Sequence, residues 1–587
     1  MAEALRLCWH ARRRDLLLVF GVQLLASALL GVQVLVGREA LARALGGAGT
    51  GAAAVADLTG PLLALAAVSL VAGFSGAVRG QRLRLLSEAV QRAVWGRVLD
   101  VTSSVELERF DDPAFYDRLQ RVTTNAVSRP VGVAQGLVGI LGGLVGSVGL
   151  FAALWSIEPV LLPVLLLAGV PLFLLSRRGG RLEFDFAVAQ TPAYRHRAYL
   201  RETLTGRREA KEVRAYGLAG ALRGRYEALA GAYERDLRRQ VARRVRLAVA
   251  AQALTGVSLV VTAVLLLWLV GRGRLSLADA GAAGAAAPLL ASRLQALTSG
   301  VGSVLESGLF LDDLRAFLAL GGPAAATGPV RAAGTFEHLR LEGVSFSYPR
   351  AAHPAVRDVS LEVRRGEVVA LVGENGSGKT TLAKIVAGLH SPSAGVVRWN
   401  GEVVTGPGAA AVREQVAVVF QDFVQWRMSG HDNIAVGRTG RPDESEAVPA
   451  AARQAGADAL LRRLPQGYAT PLSTELAGGV DLSLGQWQRV ALARAFYRGA
   501  DLVVLDEPTA ALDARAEAEL FAQVRELAAG RTVLLISHRF SSVREADRIV
   551  VLREGGVDDV GTHAELVARG GLYAELYALQ AQAYREG

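Results

Sequence analysis

Residues Gly373 to Thr381 read G-E-N-G-S-G-K-T-T. The apolar, β-type run Glu367–Val372 comes before them, and the helix-type run Leu382–Leu389 comes after, with Gly388 near its end. Strand, glycine loop and helix in that order give a phosphate-binding loop its meaning. Gly373, Gly376 and Gly378 let the backbone turn tightly and aim its N–H groups at an anion. A helix starting at Thr380 adds its dipole and free N–H groups. Lys379 is placed to reach the β- and γ-phosphates, and the Thr380 hydroxyl to hold Mg²⁺. Asn375, Ser377 and Thr381 complete the expected nucleotide contacts. A glycine-rich turn without function would not match every fixed position in this context, so the stretch is read as binding a nucleoside triphosphate.

Composition says where such a loop has to work. The chain has 587 residues, room for two or more domains, and 51% of them are hydrophobic with a mean hydropathy of +0.29. That is high for a soluble protein and points to membrane spans. The net charge of +10 comes almost wholly from Arg, gathered between apolar runs, so membrane topology explains it better than nucleic acid does. No aromatic-interleaved basic patch, zinc spacing or recognition-helix pattern supports a nucleic-acid partner. The single cysteine, Cys8, excludes an internal disulfide framework and reads as a passive thiol. Arg12–Arg14 followed by Leu16–Val36 imitates a signal peptide, but the run is longer than the roughly 7–15 residues of a signal core. It is read as a retained first span.

Six apolar segments are long enough to cross a bilayer, which needs about 20 residues each: 15–37, 56–78, 131–154, 159–176, 246–271 and 277–305. The fourth is short, and Gly60-Pro61 breaks the second. Arg is dense at the start of the chain, in 79–130 and in 177–245, and sparse in the alternate joints. By the positive-inside rule both termini are therefore cytoplasmic. Arg79–Val101 and Arg195–Arg246 read as long helical extensions into the cytoplasm. Glu108–Asp117, with Asp111 or Asp112 able to cap a helix at Pro113, and Arg208–Gly217 read as short charged helices with exposed aromatics. These are either solvated surface or balls for a socket on the nucleotide-binding half. Arg293, about 24 Å along the sixth span at 1.5 Å per residue, is either a snorkelling residue or a cavity-lining one. Residues 321–335 read as a linker, after which the composition becomes that of one α/β domain.

That domain carries further motifs in fixed order. Tyr348 ends a strand upstream of the loop, where an aromatic can stack on adenine. Gln421 follows the strand Val416–Phe420 and can meet Mg²⁺ and attacking water. Leu502–Glu507 is a buried strand ending in two carboxylates: Asp506 to hold Mg²⁺ through water, Glu507 to orient or deprotonate the attacking water. His538, after the run Thr532–Ile536, falls where a γ-phosphate sensor belongs; alone it would read as a structural histidine. Leu482-Ser483-Leu484-Gly485-Gln486 opens a helix to about Tyr497 and makes a second anion site. A second site is redundant in one molecule but makes sense if two copies pack head to tail, each completing the other's nucleotide site.

With these residues in view, the chain resembles an exporter-type (type IV fold) half-transporter of the ATP-binding cassette (ABC) family. The match runs over Tyr348, Walker A 373–380, Gln421, the signature 482–486, Walker B 502–507, the D-loop Ala510–Asp513 and switch His538. The segment Thr474–Gly479 is similar to the loop exporters use to touch their membrane domain. The resemblance implies a fold of six transmembrane helices with long cytoplasmic extensions (1–320), a linker (321–335) and an α/β P-loop cassette (336–587), in the cell membrane with the cassette cytoplasmic. It implies ATP and Mg²⁺ as cofactors, with Lys379, Gln421, Glu507 and His538 catalytic. Thr380, Gln421 and Asp506 are implied at the metal, and Ser483, Gly485, Gln486 and Asp513 at the nucleotide. Leu484 stands where the family usually has glycine, which puts the composite site it helps to form in doubt.

The function expected is ATP-driven export by alternating access, as a dimer of half-transporters in membrane lipid. A homodimer and the competent half of an asymmetric heterodimer both remain open. A nucleotide-gated regulator that pumps nothing is the alternative from another class; intact Glu507 and His538 speak against it. Import through the same fold ranks lower, since no siderophore-handling or extracytoplasmic domain is visible, and a peptidase-bearing exporter is not expected because almost nothing precedes the first span. Sparse polar residues in the spans (Gln33, Gln135, Gln252, Thr255) suit an amphipathic or hydrophobic drug, lipid or modified peptide without choosing among them.

Overall fold

The computed structural model describes residues 2–46, 52–321, 335–404, 407–439, 446–508 and 531–586; for 52–55, 165–180, 407, 408, 410 and 583–586 it describes the backbone alone. The chain divides into two compact units: Met1–Val105 with Pro113–Gly322, and Glu106–Asp112 with Pro323–Gly587.

The first unit is helical: α1 Ala2–Gly46, α2 Ala52–Ser104, α3 Pro113–Arg121, α4 Arg129–Ile157, α5 Leu161–Thr205, α6 Ala210–Ala215, α7 Ala219–Gly271 and α8 Leu277–Leu318. Four helical stretches are long and apolar enough to cross a membrane: Ala2–Gly46, Ala56–Ser104, Pro113–Ile157 and Ala219–Gly271. The other two expected spans fall on α5, where side chains 165–180 lie outside the description, and on α8. Helix α8 is Ala- and Gly-rich and carries Asp279 and Arg293, which keeps it below the hydropathy of the four. Leu63, Leu70, Phe74, Val260 and Leu267 point outward and exposed, an apolar surface that needs lipid or another chain to cover it.

Without a hydrophobic force between helices in lipid, close packing has to hold them, and small residues permit it. Helix α4 meets α8 through Gly136 and Gly300: a Cβ on Gly300 would stand 2.6 Å from the Gly136 carbonyl oxygen and 2.9 Å from the Ile140 nitrogen. Backbone cannot yield there, so Gly300→Val is expected to lower the melting temperature in detergent by several degrees or to abolish folded yield. An unchanged melting curve would show that α4 and α8 do not pack this way. Ion pairs tie the same bundle at its polar ends: Arg38–Asp279 at 2.6 Å, Arg121–Asp313 at 2.8 Å and Arg129–Glu306 at 2.5 Å.

The exposed aromatics expected at the two charged turns divide. Tyr216 and Tyr116 are exposed, but Phe115 is buried, 5.9 Å from the Phe317 ring. The periodicity of so short a segment did not show which ring faces the bundle. The stretch ahead of Pro113 forms a 3₁₀ turn, Leu107–Asp111. It packs with the second unit, where Glu108 lies 3.0 Å from His390 Nδ1 and accepts from the Ser391 N–H, and Asp112 meets Arg350 at 2.9 Å.

The second unit holds two sheets. β1 His338–Phe346, β2 Val356–Arg364, β4 Ala394–Trp399 and β5 Glu402–Val403 form an antiparallel sheet in the order β2-β1-β4-β5. β3 Val368–Gly373, β6 Val416–Val419, β7 Leu502–Asp506, β8 Thr532–Ile536, β9 Arg548–Arg553 and β10 Gly556–Gly561 form a sheet in the order β10-β9-β3-β8-β7-β6, parallel except for β10. Every residue of β7 and β8 is buried, as a parallel sheet covered on both faces requires. Helices α9 Lys379–Val386, α10 Pro407–Gln415, α11 Gly430–Ala435, α12 Ala447–Gln454, α13 Asp458–Arg462, α14 Leu484–Arg498, α15 Phe540–Val543, α16 His563–Arg569 and α17 Leu572–Glu586 complete the unit among the described residues.

Candidate functional site

Parallel order places the site. β3, β8, β7 and β6 are consecutive neighbours in the sheet, so the turns that leave their carboxyl ends share one edge, where ligands of open α/β sheets bind. Those turns carry the glycine loop after β3, His538 after β8, Asp506 and Glu507 at the end of β7, and Gln421 after β6. Glu507 and His538, 31 positions apart in sequence, come together because Asp506 pairs in register with Ile536.

The loop has the backbone its glycines allow. Gly376 and Gly378 take φ of 83° and 96°, and a Cβ on Gly378 would stand 2.3 Å from the Ala355 carbonyl oxygen. Asn375 and Gly376 are exposed at the tip, while Ser377 and Lys379 are buried. Helix α9 begins at Lys379, one residue before the predicted Thr380 start. Lys379 Nζ donates to the carbonyl oxygens of Gly373 and Glu374, each at 2.8 Å, and to Ser377 Oγ at 3.3 Å. Burial pushes the Lys379 ammonium down from its ordinary value, against the pull of the Glu507 and Asp506 charges.

Asp506 is buried at the end of β7. Burial pushes its carboxyl up; the Thr380 hydroxyl bond opposes this, and the nearby Glu507 and Asp422 charges add to it. The Lys379 charge also opposes the rise, and the carboxylate beside the Thr380 hydroxyl offers hard oxygen donors of the kind a divalent cation takes. Asp422 was not singled out from the sequence; it follows Gln421 directly, and only the β6–β7 pairing brings it near Asp506. Glu507 takes a positive φ of 48°, and its N–H donates to the Ile536 carbonyl at 2.9 Å. Two groups grip its carboxylate from either side: Gln421 Nε2 donates to Oε2 at 2.7 Å, and His538 Nδ1 lies 3.1 Å from Oε1. Tyr348 stands half-buried at the start of the unit with its hydroxyl 3.2 Å from Thr381 Oγ1.

The signature residues lie apart from this cluster. Ser483 caps α14 in a capping box: the Gln486 N–H donates to Ser483 Oγ at 3.3 Å, and the Ser483 N–H to Gln486 Oε1 at 2.9 Å. Gly485 lies in the first turn and Leu484 points outward, 56% exposed. Among the described residues no hydrogen bond or ion pair joins Ser483 or Gln486 to residues 373–381. Asp513 and the rest of the D-loop lie outside the described residues. In the other unit, Arg293 is half-buried over Gly146, its Nε enclosed without a partner among the described residues and within reach of the Arg79 charge.

Residues 356–510 match the family model of the ABC transporter. Over 484 residues the chain is 28% identical to the subtilin transport ATP-binding protein SpaT of Bacillus subtilis, covering 82% of this chain and 78% of that protein. It is 40% identical over 242 residues to the ATP-dependent lipid A-core flippase of Alkalilimnicola ehrlichii, a match spanning 41% of this chain and 40% of the flippase. Its fold matches the structure of a bacterial Atm1-family ABC exporter with ATP bound at a TM-score of 0.81 and 24% identity, covering 97% of this chain and 98% of that one. Residues 356–510 carry an ABC transporter domain, and over most of its length the chain is similar to ABC exporters that fuse an apolar helical half to an ATP-binding half in one polypeptide. As an enzyme it is an ATP hydrolase coupled to membrane transport.

Proposed function

We propose that the chain is a half-transporter that works in pairs in the cell membrane, both termini and the cassette cytoplasmic, and exports an amphipathic or hydrophobic cargo by alternating access. The observation that carries hydrolysis is the Glu507 carboxylate held between Gln421 and His538. Its position is fixed from two sides, leaving it able to take a proton from an attacking water. Lys379 and the loop N–H groups bind the phosphates, and Tyr348 stacks on the adenine. Thr380 and Asp506, hard oxygen donors with Gln421 beside them, fit Mg²⁺, which when bound neutralises charge on the phosphates.

Pairing is supported by the signature. Ser483 and Gly485 open a helix whose capping residues make no hydrogen bond or ion pair with residues 373–381 among the described residues, so in this reading they complete the nucleotide site of a second chain. Two ATP molecules that bind only a closed pair can shift a two-state equilibrium by several kcal/mol, where about 5.5 kcal/mol takes 1:99 to 99:1. A non-transporting regulator is disfavoured, because an assembled hydrolytic group serves no purpose in a sensor.

Leu484 tests the composition of the pair. In a homodimer its exposed side chain meets the partner's γ-phosphate, so Leu484→Gly is expected to raise ATP turnover of the purified protein about twofold to tenfold. Unchanged turnover would mean that this signature serves a site that is not rate-limiting, as in an asymmetric heterodimer. The cargo is open. The relatives' names include a subtilin transporter and a lipid A-core flippase, and Arg293 beside Arg79 without an acidic partner among the described residues suits a cargo with an anionic group. ATPase stimulation by modified peptides, anionic and zwitterionic lipids and cationic drugs in liposomes is the test. Stimulation by none of them would contradict export of an amphiphile.

A further inference from the structure

The C-terminal helix α17 has no part in the functions described so far, yet it reaches the turn that carries His538. Gln580 Oε1 accepts the backbone N–H of Phe540, two residues after the histidine, at 2.9 Å. The Phe540 ring stands edge-on to two rings of α17, 5.1 Å from Tyr573 and 5.5 Å from Tyr577, with interplanar angles of 70° and 74°. Tyr573 is itself fixed by His563 of α16, whose Nδ1 lies 2.8 Å from the Tyr573 hydroxyl. Phe540, Tyr573 and the β3 residues Ala370 and Val372 share one buried cluster, so the same helix backs the strand that leads into the glycine loop.

The hydrogen bond is informative because of where it falls. Phe540 is the first residue of α15, and its N–H is one of the groups a helix start leaves without an intrahelical partner. Ser or Asp at the N-cap usually meets that need; here Arg539 is the N-cap and makes no side-chain cap bond. The acceptor comes instead from 40 residues away. The direction in which the chain leaves β8, and hence the place where His538 meets Glu507 at 3.1 Å, is set in part by α17.

We infer that Gln580, backed by Tyr573 and Tyr577, is a positioning residue for hydrolysis: it holds the Phe540 backbone so that His538 engages Glu507. This rests on the reading of His538 as part of the hydrolytic site. Helix α17 thereby bears on turnover from outside the nucleotide contacts.

The test uses the full chain in liposomes. Gln580→Ala is expected to lower kcat for ATP about threefold to tenfold, with KM for ATP changed by less than about twofold. Gln580→Glu, which keeps an acceptor oxygen, is expected to restore most of the rate. In a His538→Ala background, Gln580→Ala is expected to cost nothing further, because the two act on one element. A kcat unchanged in Gln580→Ala, a Glu variant no better than Ala, or losses that add in the double variant would each overturn the inference. Full turnover in His538→Ala alone would overturn the reading of His538, and this inference with it. Normal His538 dependence with a silent Gln580 would overturn only this inference.

Discussion

Glu507→Gln will cut ATP turnover by at least about a hundredfold, the usual scale for losing a positioned general base, while ATP still binds. The substitution leaves almost everything else in place. Glutamine tolerates the positive φ of 48° about as well as glutamate does, and its side-chain oxygen can still accept from Gln421 Nε2, which donates to Glu507 Oε2 at 2.7 Å. What goes is the ability to take a proton at the atom 3.1 Å from His538. Bound ATP then has no exit through hydrolysis, and the closed pair accumulates. Phosphate release and ATP retention measured on the same preparation separate the outcomes. Undiminished turnover would remove Glu507 from the reaction; lost binding would mean that its role is in holding nucleotide.

Lys379→Met will weaken ATP binding about tenfold to a hundredfold, the value of a hydrogen bond to a charged group. In the loop the ammonium makes three contacts with its own backbone and Ser377, at 2.8, 2.8 and 3.3 Å. These hold the side chain curled into the cradle, where the incoming phosphates replace carbonyl oxygens as acceptors. Methionine fills similar space without charge, so the loop keeps its shape and loses its cation. The variant is therefore expected to fold, and about ten to a hundred times more ATP is expected to be needed for the same rise in melting temperature, since stabilisation by a ligand follows its concentration relative to Kd. A normal ATP-dependent rise in melting temperature would show that the loop N–H groups bind the phosphates alone.

Some of this site was legible in the sequence for a simple reason. The glycine loop is local: its spacing, flanking strand and following helix lie within a few residues, so Gly373–Thr381 announces its backbone before any tertiary contact exists. Walker B is nearly as local, an all-apolar run ending in two acids. The meeting of Gln421, Glu507 and His538 is different. It depends on β6, β7 and β8 being neighbours, an order that composition and periodicity do not encode and that only the family resemblance suggested. Asp422 and Gln580 were missed because nothing in their own neighbourhood marks them; Asp422 gains meaning from β7 beside it, and Gln580 from a helix start 40 residues upstream. The membrane half is legible by hydropathy where Leu and Val dominate, as in α7, and less so in α8, where Ala, Gly and internal charges dilute the signal. Which ring of Phe115-Tyr116 is buried, and that Glu106–Asp112 packs with the second unit, are decided by tertiary contacts alone.

The central proposal is that the loop Gly373–Thr381 is half a site, completed by the signature of a second chain. Cross-linking tests it most directly. Two chains, both carrying Cys8→Ser and Glu507→Gln, one with Asn375→Cys and the other with Leu484→Cys, are mixed in liposomes with a short thiol-specific cross-linker. The account predicts a covalent pair that forms with ATP and not without it; a pair formed instead with a different co-purifying chain would keep the shared site and assign the heterodimer. ATP-loaded protein that binds nucleotide normally, yet joins neither a second copy nor another chain through these positions, would contradict it.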